Sequence, residues 1–187
     1  EFSNDKLIRF RIVPEFSNYS SKQFKKVNIE YYGNTPILSI RPEPLDNIYN
    51  RLQKRVFDIF FALLFFLLIG WWLFPLIALF VKLSSPGPVF FVQKRSGEGN
   101  EEFLCYKFRS MKVNAEADTK QATVGDARIT RVGSFLRKSN LDELPQFINV
   151  LLGDMSVVGP RPHMLKHTEE YSKIVNNFMV RHFVKPG

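Results

Sequence analysis

Hydrophobic residues are distributed unevenly along the chain. The densest run, Ile59 to Val81 (IFFALLFFLLIGWWLFPLIALFV), carries no charge and is bounded by Asp58 and Lys82. As a helix rising about 1.5 Å per residue it would measure roughly 34 Å, enough for the hydrocarbon core of a bilayer. The run is too far from the first residue, and too poor in small residues at its end, to be a signal peptide. Basic residues flank it on both sides, Arg51, Lys54 and Arg55 before it and Lys82, Lys94 and Arg95 after it. A spanning helix normally has one basic flank. Pro75 interrupts the run after Gly70 and the Trp71–Trp72 pair; a proline removes a backbone hydrogen bond and permits a kink, and indoles favour the membrane interface. Charge and proline fit two arrangements equally well, a kinked spanning helix and a re-entrant helix that enters one leaflet, bends and returns.

Outside this run the pattern changes to short alternating stretches. LIRFRIV and VNIEYYGNTPILSI predict strands, the second broken at a Gly33–Asn34 turn, and RPEPLDN reads as a polar linker. After the breaker cluster SSPGP, the stretch VFFVQKRSGEGNEEFLCYKFRSM predicts two strands around a glycine-containing turn. Gly97 and Gly99 are turn glycines, since no phosphate-loop context follows them. Residues 113 to 127 read as loop or short helix. RITRVGSFLRK, residues 128 to 138, places Ile129, Val132 and Leu136 on one face, which predicts a short basic amphipathic helix. A further helix is expected to begin near residues 141 to 144. Leu144, Phe147, Ile148, Leu151 and Leu152 make one apolar stripe, Pro145 fits only a first turn, and Gly153 is the stop. A short strand at 155 to 158, the GPRP turn and an amphipathic stretch at 164 to 184 complete the pattern. There is no internal repeat.

Composition narrows the function classes. The chain has 187 residues, 45% of them hydrophobic and 14% aromatic, which is enough to bury a core and excludes a disordered tail. A net charge of +8 points to an acidic partner: nucleic acid, anionic lipid or a phosphorylated substrate. The single cysteine, Cys105, excludes an internal disulfide framework and a cysteine-built zinc site. His163, His167 and His182 show no metal-ligand spacing with it. The absence of an initial Met and the ending at Pro186–Gly187 suggest a piece of a longer protein.

Candidate chemistry gathers in four places. Asp142 and Glu143 stand at a helix mouth, where ordinary capping competes with a phosphate or metal site in which one carboxylate attacks phosphorus and the other holds a divalent cation. Arg161, between two prolines in GPRP, is either a solvated turn residue or a guanidinium aimed at phosphate. In YKFRSM, strand alternation puts Lys107 and Arg109 on one face and Phe108 on the other, either as solvated edge charges or as a diphosphate-binding pair. The basic helix at 128 to 138 either rests on anionic headgroups or is a solvated face. A non-catalytic, membrane-anchored basic module for anionic lipid or nucleic acid is the competing reading of the whole.

The order KR-FD, a long apolar run containing Pro, SSPGPVFFVQKRSG, YKFRSM and RITRVGSFLRKSNLDELPQFINVLLGDMSVVGPRP closely resembles the bacterial sugar transferases, the monotopic phosphoglycosyl transferases. The resemblance covers about residues 54 to 187. It implies an α+β, membrane-associated fold: a remnant of an N-terminal nucleotide-binding-like domain and linker at 1–50, a re-entrant membrane helix at 51–83 broken at Pro75, and a small cytoplasmic catalytic domain at 84–187 with a β-hairpin and amphipathic interface helices. It also implies transfer of a hexose 1-phosphate from a UDP-sugar to undecaprenyl phosphate with release of UMP, at the cytoplasmic face of the bacterial inner membrane, as the first membrane step of exopolysaccharide, capsule or O-antigen synthesis. No nucleic acid is then expected as a partner. Asp142 would be the nucleophile of an aspartyl phospho-sugar intermediate, Glu143 would help hold Mg²⁺, and Arg161 would face phosphate, with Lys107, Arg109 and Arg128 as further phosphate-binding candidates. Two departures stand out. Glu98, Glu101 and Glu102 occupy a turn where relatives often carry a basic residue. The family also usually continues past KPG into a Gly- and Trp-containing motif, so the catalytic domain is expected to be incomplete at its C-terminal end.

Overall fold

The computed structural model describes residues 11–12, 28–32, 35–39, 44–113, 123, 126–174 and 178–187. Three short strands, β1 (Arg11–Ile12), β2 (Asn28–Tyr32) and β3 (Thr35–Ser39), form an antiparallel sheet in the order β1-β3-β2. Tyr32 pairs with Thr35 at the closed end, where the register fits the predicted hairpin; its Gly33–Asn34 turn lies outside the described residues, as do most of residues 113 to 127.

The apolar run is helical throughout. α1 (Ile48–Phe65) starts at Asn47, whose side chain accepts the Tyr49 N–H at 2.9 Å, a standard N-terminal cap. A π-turn, Phe66–Gly70, joins it to α2 (Trp71–Ser84), giving one helical run of 37 residues from Ile48 to Ser84, long and apolar enough to cross a membrane. Sequence reasoning placed the break at Pro75, but the helix passes through Pro75, and the departure from α-geometry lies one turn earlier, at Phe66–Gly70. A proline's missing N–H and its ring disturb the carbonyl four residues before it, so the distortion is displaced toward the N-terminus. There the Trp71 N–H reaches back to the Phe66 carbonyl, a five-residue step. Most large side chains on this helix are exposed, Leu67, Trp71 and Leu83 at more than 70%.

The second body is mixed. β4 (Phe90–Ser96) and β5 (Glu102–Phe108) form the predicted antiparallel hairpin, with Phe91 opposite Lys107, Gln93 opposite Cys105 and Arg95 opposite Phe103. α3 (Arg131–Lys138) and α4 (Gln146–Leu152) follow, then α5 (Leu165–Ile174) and a 3₁₀ turn, Phe178–Phe183. α3 begins three residues later than its charge pattern suggested. Thr130 caps it by accepting the Gly133 N–H at 2.9 Å, and Arg128 lies before the helix, bound to Asp126. Residues 155 to 158 form no strand. The Ser156 N–H donates to the Pro186 carbonyl and the Val157 N–H to Asp58, so the backbone donors a ladder would use are already taken.

Both halves of the long helix pack on this body. Ala62 of α1 is buried with Cys105, Val150 and Met155, and Ile77 and Val81 of α2 are buried with Phe108 and Leu136. Phe65 stacks on Phe147, with ring centroids 4.2 Å apart, and Phe74 meets Phe108 edge-on at 5.1 Å. The flanks are tied by arginines. Arg55 donates to the carbonyls of Val150 and Leu151 at the C-terminus of α4, where a cation also complements the helix dipole. At the other end, Arg109 donates to the carbonyls of Ser85 and Pro86. The asparagine in QFINVLL joins the layers: Asn149, fully buried, accepts the Tyr106 N–H at 3.0 Å and donates to the Leu104 carbonyl at 2.6 Å.

Candidate active site

Asp142 and Glu143 do not open an α-helix. They lie in a 3₁₀ turn, Leu141–Glu143, just before Pro145, which takes the capping position of α4. Asn140 precedes the turn in the left-handed region, at φ 56°, a conformation asparagine accepts more readily than most residues. The Glu143 N–H closes the turn on the Asn140 carbonyl at 3.1 Å. Leu144 and the buried Pro145 keep helical angles that carry the turn straight into α4, and both acids line a cleft of about 760 Å³ whose lining includes Arg95, Lys107, Arg137 and Arg161.

The two acids differ in environment. Lys107 Nζ and an Arg161 terminal nitrogen each donate to the same Glu143 oxygen, Oε1, at 2.6 Å. Burial opposes the charge on Glu143, yet the hydrogen bond from Lys107 and the charges of Lys107, Arg161 and Arg95 outweigh it and hold the carboxyl below its usual range. Asp142 is the reverse case. Burial pushes its pKa above the usual value, the Glu143 charge adds to this, and Lys107 and Arg137 only partly offset it. The structure thus places one carboxylate locked by two cations beside another that is partly desolvated. A carboxylate of the second kind has lost part of the hydration that would otherwise blunt it as a nucleophile.

Lys107 and Arg161 are therefore brought to the dyad from a strand and a turn 54 residues apart (161 − 107). The GPRP turn is held from behind. Gly187 N–H donates to the Pro160 carbonyl at 3.0 Å, and Arg181 donates to the Arg161 carbonyl at 2.7 Å. A Cβ on Gly159 would lie 2.3 Å from the Lys185 carbonyl oxygen, so only glycine lets the final residues pack this closely. Arg109 borders the cleft, but its guanidinium is 6% exposed and donates to two carbonyls. Its place is structural, joining the end of α2 to β5. Arg128 does not line the cleft and forms a bidentate pair with Asp126, Nη2 to Oδ2 at 2.6 Å and Nε to Oδ1 at 3.0 Å. Pro75 is exposed on α2.

Sequence reasoning missed Arg95 and Gln146 in the cleft lining. The hairpin register contained the signal for Arg95, because residues opposite Phe103, Cys105 and Lys107 share their face. Among the described residues no cluster of three or more His, Cys, Asp or Glu side chains stands ready to hold a metal ion. The adjacent carboxylates do suit an oxygen-seeking ion completed by substrate phosphates and water, the usual arrangement for Mg²⁺. Both ion pairs of Glu143 use Oε1.

The family model described as bacterial sugar transferase matches residues 49–187. Among curated proteins, the chain is similar to the UDP-glucose:undecaprenyl-phosphate glucose-1-phosphate transferase of Xanthomonas campestris pv. campestris, with 46% identity over 96% of this chain and 37% of the relative. An Escherichia coli K12 protein of the same name is 51% identical over 85% of this chain and 34% of its own length. The UDP-N-acetylgalactosamine-undecaprenyl-phosphate N-acetylgalactosaminephosphotransferase of Aeromonas hydrophila is 43% identical over 87% of this chain and 37% of its own length. The chain spans about a third of the length of these relatives.

Proposed function

This chain belongs to the bacterial sugar transferases, and from that premise we propose that it transfers a hexose 1-phosphate from a UDP-sugar to undecaprenyl phosphate and releases UMP. An Asp142 carboxylate oxygen attacks the sugar-bearing phosphorus. The bond from that phosphorus to the bridging oxygen breaks, and UMP departs with the electron pair. A phosphate oxygen of the lipid acceptor then attacks the same phosphorus, and Asp142 is freed. Splitting the transfer in this way spares two anionic phosphates from meeting directly. The names of relatives carry both glucose and N-acetylgalactosamine, so the donor class we propose is a UDP-sugar whose sugar is a hexose or an N-acetylhexosamine. The product suits the first membrane step of a surface glycan.

The observation that carries this reading is the unequal dyad: Glu143 is bound by Lys107 and Arg161 while Asp142 beside it stays partly desolvated. Arg161 and Lys107 are placed to exchange a carboxylate partner for substrate phosphate, which a guanidinium fork and an ammonium both suit. Glu143 would help hold Mg²⁺, which when bound offsets phosphate charge.

The same reading assigns residues 84–187 to catalysis, 51–83 to the membrane and 1–50 to a separate sheet-containing piece. The long helix would be re-entrant. Arg55 and Arg109 tie its two flanks to one body, which favours both flanks on one face of the bilayer. That face is taken as the cytoplasmic side of the inner membrane, where UDP-sugars are available.

The test is UMP release from UDP-glucose and UDP-N-acetylgalactosamine by the membrane-reconstituted protein, with undecaprenyl phosphate and Mg²⁺. Asp142→Asn is expected to abolish release, and the wild type given donor alone to yield a sugar-phosphate adduct on Asp142. An active Asp142→Asn protein overturns the assignment.

A further inference from the structure

Arg95, a cation of the cleft, has no part in the transfer outlined above. Arg95 stands on the face of β4 that also carries Phe91 and Gln93, and its cross-strand register puts it on the same face as Cys105 and Lys107. Its backbone is fixed by a bridge to Met164 and by the Ser96 N–H donating to the His163 carbonyl at 3.2 Å. These contacts hold the end of β4 against the segment that follows Arg161. One terminal nitrogen donates to Gln93 Oε1 at 2.7 Å, which fixes the plane of the guanidinium. The Nε–H is buried and has no hydrogen-bond partner.

A buried donor without an acceptor costs on the order of 1–3 kcal/mol; Arg109 Nε is likewise unpartnered, but both terminal nitrogens of Arg109 donate to carbonyls, whereas Arg95 donates with one, to Gln93, which leaves its guanidinium able to take an acceptor that arrives with a ligand. Charge leads to the same conclusion. The charges of Arg95, Lys107 and Arg161 all act on Glu143, and Asp142 is the other carboxylate at hand. With Arg137 beside Asp142, these cations outnumber the two carboxylates and leave a local surplus that an anion would neutralise.

Position selects the anion. β4 begins at Phe90, shortly after α2 ends at Ser84, and Arg95 lies five residues further, about 17 Å along a strand. Lys107 stands opposite Phe91, near the end of the apolar helix where a lipid acceptor would arrive, whereas Arg95 stands opposite Phe103 at the far end of the strand. We infer that Arg95 binds the donor diphosphate through the phosphate of the departing nucleotide, an inference that rests on the transfer reading above.

The experiment uses the full chain in nanodiscs with UDP-glucose as donor and UDP as an equilibrium probe. Arg95→Gln is expected to raise the donor KM and weaken UDP binding by about tenfold, the loss of one charge-assisted contact. The KM for undecaprenyl phosphate should stay within about twofold. Arg95→Lys should recover part of the UDP affinity, because the charge remains while the fork is lost. It also serves as the deciding variant if Arg95→Gln lowers the melting temperature. Unchanged donor KM and UDP affinity in a folded variant would overturn the inference, as would an equal rise in the acceptor KM. Failure of the wild type to release UMP from either UDP-sugar would overturn the transfer reading instead, and the UDP-binding comparison would still decide the role of Arg95.

Discussion

Asp58, inside the apolar helix, accepts the hydroxyl of Ser156 at 2.9 Å across 98 positions of sequence, and both residues are buried. The same carboxylate oxygen accepts the Val157 N–H at 3.0 Å and lies 3.6 Å from Lys54 Nζ, which itself donates to the Ser156 hydroxyl. The long apolar helix therefore holds the segment that leads, three residues later, into the GPRP turn and Arg161.

Asp58→Ala removes the acceptor of the Val157 N–H and the counter-charge of Lys54, while the Ser156 hydroxyl keeps the Val158 carbonyl at 3.0 Å. An unsatisfied donor costs about 1–3 kcal/mol, and in a chain of this size each kcal/mol lowers the melting temperature by about 2–4 °C. A melting temperature lower by about 5 °C or more is expected. Turnover should fall further than the loss of folded protein explains, because the segment leading to Arg161 loses one of its ties while Arg181 and Gly187 still hold the turn. Thermal melts with UMP-release rates on the folded fraction check both parts.

The neighbouring acids of the dyad should respond to pH with opposite signs. Glu143 has a depressed folded pKa, so its charge stabilises the protein above its ordinary value of 4.5, and that contribution is lost as pH falls through the folded value. Glu143→Gln is thus expected to lower stability at neutral pH by about 1 kcal/mol, the upper range for partly exposed pairs, with the difference vanishing in acid. Asp142 has a raised folded pKa, so its contribution is fully favourable below its ordinary value of 3.8 and is lost as pH rises through the folded value. Asp142→Asn should therefore match or exceed the wild type in stability at neutral pH, while turnover drops about a thousandfold or more. Melts of both variants from pH 3 to 8 distinguish the two signs.

A raised Asp142 pKa also sets the acid limb of the rate. The nucleophile must be ionised, so formation of the adduct from donor alone should decline as pH falls, beginning above the ordinary carboxylate range. Single-turnover rates of UMP release against pH measure it. A limb at or below pH 3.8 would contradict the desolvated environment of Asp142.

Features written in local periodicity were legible in the sequence. The uncharged run from Ile59 to Val81, the β4–β5 hairpin and the Gly153 stop each follow from composition or spacing, and Gly153 does end its helix at φ 100°. The dyad was legible as a pair, but its 3₁₀ geometry depends on Asn140 and Pro145 acting together. What remained hidden depends on distant partners. SVV reads as a strand until Asp58 and Pro186 take its N–H groups, and Arg109 reads as a phosphate ligand until the carbonyls of Ser85 and Pro86 claim it.

Gly133 tests how closely α3 must approach the site. A Cβ there would lie 1.8 Å from the Ser110 carbonyl oxygen and 2.5 Å from its carbon, both backbone atoms. Ser110 borders the cleft, and its carbonyl also accepts the Thr130 N–H. Gly133→Ala must push α3 away, loosening Leu136 from Phe108 and moving Arg137, which lines the cleft beside Asp142. Overpacking against backbone costs about 1–3 kcal/mol or more, so this variant should melt lower by several degrees, against the usual gain from replacing glycine in a helix.

The placement of the helix in the bilayer can be read from two exposed flanking positions. A straight spanning helix needs its ends about 30 Å apart across the hydrocarbon, on opposite faces. Here Arg55 and Lys54 fasten the first flank to α4 and Ser156, and Arg109 fastens the second to the end of β5, all within one folded body. Separating the flanks across a membrane would break these contacts. Single cysteines at Gln53 and Lys94, both exposed, should therefore react with an impermeant maleimide from the same side of sealed vesicles. Cys105, the chain's one native cysteine, is 1% exposed and should stay silent. Labelling of the two positions from opposite sides would require the helix to cross the membrane, and would separate the long helix from the body that carries Asp142.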